Sequence, residues 1–305
     1  MTDTPSVPDR LTLAAFSAAV LIGGVNFVAV RYSNRELEPL FGAGVRFSIA
    51  ALLFLGFMAL RRIGIPRSRD LAVAVVYGVL SFTLTYAAIY WALQELSAGI
   101  AAVVFAATPV ITLILAAVHR LERITGRGLA GALIAIGGIV VLANPGGEGL
   151  PMMRLGAVVL ASIGAAEASV IVKRFPPKHQ IATNGVAMAA GSALLIAVSA
   201  LTGESWVVPG AAQTWTALLY LSVLGSVGLF GLILFTLGRW TASGVAYMAP
   251  LFPVVAMIAG AAIAGEEITA NGVVGGMIVI VGVYVGVLRR SRRRERLESQ
   301  VAEAG

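Results

Sequence analysis

The hydrophobic residues of this 305-residue chain are grouped into ten long apolar segments, which polar and basic residues separate. A helix needs about 20 apolar residues to cross a bilayer core of ~30 Å, and most of the segments approach that length. They show no strand-like alternation of apolar and polar residues, so the pattern predicts helices rather than a barrel. The predicted segments are Leu11–Val30, Leu40–Leu60, Leu71–Leu93, Ser97–Val118, Arg127–Ala143, Leu155–Val172, Ile181–Leu201, Thr214–Leu237, Ser243–Ala264 and Asn271–Leu288.

Composition supports an all-α polytopic membrane protein with ten transmembrane helices. Hydrophobic residues make up 58% of the chain and charged residues only 12%, against about 25% charged residues in soluble domains. The first segment is full length and has no signal-peptide pattern, so we expect it to be retained. The chain has no cysteine, which excludes disulfides and thiolate metal sites. No metal or cofactor is expected.

The basic residues indicate which way the helices run, because Lys and Arg concentrate in cytoplasmic loops. With the N-terminus placed in the cytoplasm, 18 basic residues lie on that side, 3 lie on the other, and Arg46 falls within a segment. Both termini are therefore predicted to be cytoplasmic. Six arginines between residues 289 and 296 contribute much of the net charge of +7. Directly after the last segment they indicate a membrane anchor rather than a nucleic-acid site.

An internal repeat divides the chain into two halves. Residues 97–141 align without gaps on residues 241–285, at an offset of 144, and 15 of 45 positions are identical. Apolar bias alone does not explain the pair Pro109/Pro253 or a Glu-x-Ile-Thr motif in register. Because each half holds five segments, the second copy enters the membrane from the opposite side, which predicts two inverted five-helix repeats. The expected domains are residues 1–150 and 151–290, followed by a polar cytoplasmic tail, residues 291–305.

These motifs resemble the drug/metabolite transporter superfamily, EamA type. The resemblance is carried by Leu-Ser-Ala-Gly-Ile at residues 96–100, Thr-Pro-Val at 108–110 and the two Glu-x-Ile-Thr motifs, and it covers all but the tail. It implies a bacterial inner-membrane exporter of amino acids, aromatic or otherwise apolar, or of other small metabolites. A secondary active exporter is the leading hypothesis, and a gradient-driven facilitator or channel is the alternative. Lipid and a small-molecule substrate are the expected partners; proton coupling and the oligomeric state stay open.

Three polar residues inside the predicted segments are candidates for substrate contact. Glu167 lies about 12 residues, or ~18 Å, into the sixth segment, where an ionisable group is a candidate for proton or ammonium binding. The alternative for Glu167 is an internal pair with Lys173 or Arg174. Asn26 either lines a cavity or hydrogen-bonds between helices. Arg46 either extends its charged end to the outer surface or acts as a carboxylate-binding or gating residue.

Three prolines, Pro109, Pro250 and Pro253, fall near the middles of the fourth and ninth segments. Each proline removes one helical hydrogen bond and leaves the carbonyl four residues earlier without its partner. In lipid such a carbonyl needs another partner, so irregular backbone should face a cavity or a neighbouring helix. The alternatives are a hinge or cavity-lining role and a passive kink.

Aromatic side chains at Phe82, Tyr86 and Tyr90 form one stripe along the third segment. Such a stripe packs against protein or lipid, or it faces the cavity, where it suits an aromatic or apolar substrate. Tyr247, in the ninth segment, is a further cavity candidate. We expect the cavity between the first four helices of each repeat, with the glycine-rich fifth and tenth helices outside it.

Overall fold

The computed structural model describes residues 9–120, 126–143, 151–237, 239 and 248–285, and the regular elements in them are all helical. Among these described residues, a helix overlaps every predicted segment. The helices are α1 (Arg10–Ser33), α2 (Pro39–Leu60), α3 (Ser68–Ala92), α4 (Ala98–Val118), α5 (Gly126–Ala143), α6 (Met152–Arg174), α7 (Gln180–Thr202), α8 (residues 212–237), α9 (Met248–Ala264) and α10 (Ala270–Val283).

Seven of these helices are long and apolar enough to cross a membrane, judged by length and composition. The other three, α5, α9 and α10, contain shorter apolar stretches and lie next to residues outside the described ranges. The prediction of an all-helical membrane protein is thus confirmed. We call the end that carries the loops at residues 34–38, 93–97, 203–211 and 265–269 the outer end, following the predicted topology, and the opposite end the inner end.

Several helices begin at side chains that satisfy the free backbone N–H groups of the first turn. Asp9 caps α1 by accepting from Thr12 N at 2.8 Å, and hydrogen bonds from the Thr12 side chain and backbone hold the pKa of Asp9 below its usual value. Ser97 caps α4 by accepting from Ile100 N at 3.3 Å. These caps fix where the apolar segments start, and they place Ser97 and Ala98 at the outer end.

Helices α3 and α8 each contain a π-helical stretch, at Val79–Leu84 and Tyr220–Gly228. Adding the repeat offset of 144 to the first stretch gives residues 223–228, which lie inside the second. Hydroxyl groups satisfy carbonyls in both stretches: Thr85 Oγ1 donates to Leu80 O at 2.8 Å, and Ser226 Oγ donates to the carbonyl five residues earlier at 2.9 Å. Because π-helical turns are rare and often mark functional sites, a shared one is a feature of the repeated unit.

Helix α4 is interrupted after Phe105 and resumes at Thr108, with Pro109 in its new first turn. The carbonyl of Phe105, which Pro109 leaves without its helical donor, accepts from Thr108 Oγ1 at 2.5 Å. In α9, by contrast, the helix continues through Pro253. The two halves thus differ at this repeated proline, and a hinge role for either one stays a prediction.

Helices α5 and α10 pack against each other through glycines that permit close backbone approach. A Cβ added to Gly138 would lie 2.7 Å from Val279 N, and one added to Gly282 would lie 2.6 Å from Ala135 N. The two contacts are equivalent under the repeat offset, because Gly138 corresponds to Gly282 and Ala135 corresponds to Val279. Such reciprocal contacts are typical of a two-fold axis. The remaining helices pack mainly as α2 with α7, α1 with α8 and α9, and α6 with α3 and α4.

Candidate functional site

A cavity of 60 Å³ lies where helices of the two halves meet. Its walls come from α1 to α4 of the first half and from α8 and α9 of the second, and none of its lining residues belongs to α5 or α10. Sites that hold small molecules usually measure about 300–1,000 Å³. The cavity is therefore smaller than sites of this kind.

Arg46 lines this cavity and is fully buried, with 0% of its surface exposed. Its Nε donates to Ser226 Oγ and its Nη2 donates to Gly225 O, both at 3.0 Å. Its guanidinium also lies 4.8 Å from the ring centre of Tyr86, which is cation–π distance. The alternative in which Arg46 reaches the outer surface is wrong, because groups of α8 hold the side chain inside. Its Nη1 has no hydrogen-bond partner among the described residues.

Asn26 lines the same cavity from α1. Its Nδ2 donates to Gly225 O at 3.2 Å, so one carbonyl of the π-helical stretch accepts from both Asn26 and Arg46. The Oδ1 of Asn26 is buried and has no partner among the described residues. A Cβ on Gly225 would lie 2.3 Å from that oxygen. The interhelical bond and the cavity position, which were alternatives for Asn26, therefore occur together.

The aromatic stripe on α3 faces the protein interior rather than lipid. Phe82 and Tyr90 are fully buried, and Tyr86 lines the cavity. The ring of Phe82 packs on Phe47 and Phe230, with ring centres 5.0 and 5.5 Å apart. The stripe thus joins α2, α3 and α8, and only Tyr86 of its three members is among the residues that line the cavity.

Glu167 lies seven residues before the inner end of α6, beside the end of α4. Its Oε1 is 2.8 Å from Nε2 of His119, the residue that directly follows α4 at the inner end, and 24% of its side chain is exposed. Among the described side chains its partner is His119 rather than Arg174, and the side chain of Lys173 lies outside the described residues. Arg174 instead donates to the His119 carbonyl at 3.2 Å. Glu167 therefore links α6 to the end of α4, away from the cavity that Arg46 lines.

Glu266 is the first residue of the second Glu-x-Ile-Thr motif, to which the sequence assigned no role. Its carboxylate, only 9% exposed, pairs with Arg31 at the end of α1. Both carboxylate oxygens also accept from Ala98 N, at 3.1 and 3.0 Å, at the start of α4. Close by, Tyr32 Oη donates to Ile263 O at 2.6 Å. These bonds join α1, α4 and α9 at the outer end.

The connecting loops add further closure at the outer end. Glu204 accepts from Phe41 N at 2.8 Å, and Glu36 accepts from Ala211 N at 3.1 Å. Hydrogen bonds from the Thr214 side chain and the Ala211 backbone hold the pKa of Glu36 below its usual value. Glu36 consequently stays ionised, and keeps these bonds, at pH values where an ordinary glutamate has begun to take up a proton.

Tyr247, a predicted cavity residue, and Glu122, the repeat counterpart of Glu266, lie outside the described residues. Pro250 and Pro253 are buried in α9 on either side of Phe252, which lines the cavity. Within the described ranges, no cluster of three or more His, Cys, Asp or Glu side chains could hold a metal ion. The prolines' cavity-lining role stays a prediction.

A model of the EamA-like transporter family matches residues 10–144 and, a second time, residues 149–288. The "Probable amino-acid metabolite efflux pump" of Escherichia coli K12 is 26% identical over 279 residues, covering 88% of this chain and 92% of the relative. The "Probable terminal-alkyne amino-acid exporter" of Streptantibioticus cattleyicolor is 27% identical, covering 93% and 94%. The "Uncharacterized inner membrane transporter YedA" of E. coli K12 is 30% identical, covering 84% and 83%.

A solved crystal structure also matches this chain. It has a TM-score of 0.67 at 18% sequence identity, and the match covers 92% of this chain and 98% of that one. At this identity the likeness shows the fold alone. The chain therefore shares a complete fold with a solved structure, and the same family pattern occurs once in each of its halves.

Proposed function

Because the chain belongs to the EamA-like transporter family, we propose that it exports small metabolites, chiefly amino acids with apolar or aromatic side chains, by alternating access. The observation that carries the proposal is the cavity between the two halves. A cation, Arg46, and aromatic rings from both halves line it, a combination that suits a small zwitterion with an apolar side chain. Two relatives named for amino-acid efflux or export support this substrate class.

Two inverted repeats would supply the alternating access. The family model matches each half, and both halves carry a π-helical stretch at equivalent positions. The reciprocal glycine contacts of α5 and α10 also support a two-fold relation between the halves. Since each repeat has five helices, the second copy runs oppositely across the membrane, and exchanging the two conformations exchanges the open side. This arrangement goes with cytoplasmic termini in a bacterial inner membrane.

The contacts at the two ends of the bundle are the ones that such a cycle would break and remake. At the outer end Glu266 joins Arg31 to the start of α4. At the inner end Glu167 and His119 join α6 to the end of α4. Opening either end requires its contacts to separate, which only a substrate or ion with differential affinity for the two states can favour.

Transport by the purified protein in proteoliposomes tests the proposal. Vesicles loaded with one unlabelled amino acid are tested for uptake of the same labelled amino acid, across a panel of side chains, with and without a pH gradient. We expect saturable uptake that is faster when the vesicles contain substrate. The reason is that a carrier changes its open side faster with substrate bound than without it. Uptake without such acceleration favours the facilitator or channel, and no uptake of any amino acid above that of protein-free vesicles contradicts the proposal. The pH-gradient arm measures proton coupling.

A further inference from the structure

Arg46 is a buried cation that has no counter-charge in the described part of the chain. A guanidinium keeps its proton at every physiological pH, and burying it without an anion is strongly unfavourable. Three described carboxylates pair with other cations, Glu266 with Arg31, Glu95 with Arg154 and Asp9 with Arg239, and Glu167 contacts His119. The neutral acceptors Ser226 Oγ and Gly225 O engage only two of its nitrogens.

The unused hydrogen-bonding atoms at the cavity form a complementary pair. Among the described residues, Nη1 of Arg46 makes no hydrogen bond, although the Tyr90 hydroxyl interacts with this guanidinium, and Oδ1 of Asn26 is an acceptor with no donor. Both side chains line the same cavity. Buried polar groups are almost always satisfied, so two unsatisfied ones of opposite kind at one cavity point to a ligand that supplies both partners. An α-amino acid does so, with a carboxylate for Arg46 and an ammonium group for Asn26.

The rest of the cavity wall suits the side chain of such a ligand. Phe27 and Phe105 line the cavity with their ring centres 6.1 Å apart, and Phe252 and Tyr86 line it from α9 and α3. No carboxylate belongs to the described lining residues, so an acidic ligand meets no like charge there.

Resting on the proposed function, we infer that Arg46 binds the carboxylate of the transported amino acid and that Asn26 binds its ammonium group. Both side chains also hold Gly225 O of α8. A bound amino acid would therefore contact the same two side chains that link α1 and α2 of one repeat to α8 of the other. The carboxylate is the part of the substrate that this site requires, whereas the side chain is selected by the aromatic wall.

Binding to the detergent-purified full chain separates these contributions. The probes are L-phenylalanine, L-phenylalaninamide, which lacks the carboxylate charge, and 3-phenylpropionate, which lacks the ammonium group; thermal unfolding at increasing ligand concentration gives each affinity. We expect the wild type to bind L-phenylalanine more tightly than its amide. Arg46→Gln should remove this preference. The affinity for L-phenylalanine should fall by about 10- to 100-fold, as loss of a hydrogen bond to a charged group produces. Arg46→Lys keeps the charge and should keep part of the preference.

Two further variants complete the test. Asn26→Leu should lower the affinity for L-phenylalanine but leave the affinity for 3-phenylpropionate unchanged, because 3-phenylpropionate has no ammonium group. Arg61→Gln, at the exposed inner end of the same helix, serves as the matched control and should behave as wild type. The variant Arg46→Gln should fold, because its amide can still donate to Gly225 O and an unpaired charge is gone.

The outcomes distinguish this inference from the proposed function. If the wild type binds the amide as tightly as the acid, or if folded Arg46→Gln keeps the acid preference, the inference is overturned even where amino acids are transported. If no amino acid is transported while the acid preference is present and depends on Arg46, the site stands and the proposed function fails.

Discussion

Arg31 and Arg46 both lie near the outer ends of helices, but their surroundings in the structure are opposite. Arg31 is paired with Glu266, and 32% of its side chain is exposed. Arg46 is fully buried, and its described hydrogen bonds go to neutral groups of α8. The first arrangement is a structural link, and the second is the one we propose to bind substrate. The sequence could not separate the two, because the direction of a long basic side chain depends on acceptors that another helix presents.

Glu266→Gln should loosen the outer closure, because it removes the ion pair with Arg31 while an amide oxygen can still accept from Ala98 N. Partly exposed pairs contribute about 0.2–1 kcal/mol, so the population of the outward-open state should rise up to several-fold. The readout is labelling of a single cysteine at Val30 by a membrane-impermeant thiol reagent from the outer side, since the chain has no other cysteine. Glu267→Gln, at the exposed next residue, is the control. Equal labelling of Glu266→Gln and the control would contradict this role for Glu266.

Glu167→Gln should lower the stability of the protein rather than its transport activity. Its partner is His119 at the inner end, and both side chains are about one quarter to one third exposed. Removing the pair should therefore lower the unfolding free energy by about 1 kcal/mol or less. Glu167→Gln and His119→Gln should each lower it, with less than additive loss in the double variant. Abolition of the transport response to a pH gradient in folded Glu167→Gln would show instead that this carboxylate carries the proton.

At the scale of single helices, the sequence predicted the bounds of the first helix well but did not predict the π-helical stretches. The first predicted segment, Leu11–Val30, differs from the observed Arg10–Ser33 by only a few residues at either end, because a long apolar run surrounded by polar residues has one favourable span. The π-helical stretch at Tyr220–Gly228 has no comparable signal. It depends on a tertiary arrangement in which Gly225 O finds donors on α1 and α2.

Gly225→Ala tests whether this stretch positions the site. A new Cβ would lie 2.3 Å from Asn26 Oδ1, so it should displace Asn26 and weaken amino-acid binding, while the helix itself gains propensity. Gly231→Ala is the matched control on the same helix, because a Cβ there meets nothing within 4 Å. We expect the transport rate per folded molecule to fall by about tenfold or more at Gly225, as loss of a charge-assisted hydrogen bond would produce, and to change little at Gly231. Equal rates for the two variants would contradict the positioning role.

At the scale of the whole molecule, the duplication was the most informative part of the sequence. An offset of 144 relates residues 97–141 to residues 241–285, and the same offset relates the contacts of Gly138 to those of Gly282. The family pattern likewise occurs once in each half. The cavity between the halves was expected from this duplication, but its chemistry was not. The site brings together Arg46 from α2, Asn26 from α1 and Gly225 from α8. No local sequence motif indicates that these residues lie close to one another.

Cysteine accessibility from both sides of the membrane tests alternating access without the need to know the coupling ion. Val30→Cys reports on the outer half of α1, and Leu229→Cys reports on the part of α8 that leads to the inner end; both residues are buried and line the cavity. Each variant is reconstituted in oriented vesicles and labelled with an impermeant thiol reagent, with and without the transported amino acid. We expect substrate to change the two labelling rates in opposite directions. Labelling that rises at both positions together would mean a pore open at both ends, and it would contradict alternating access.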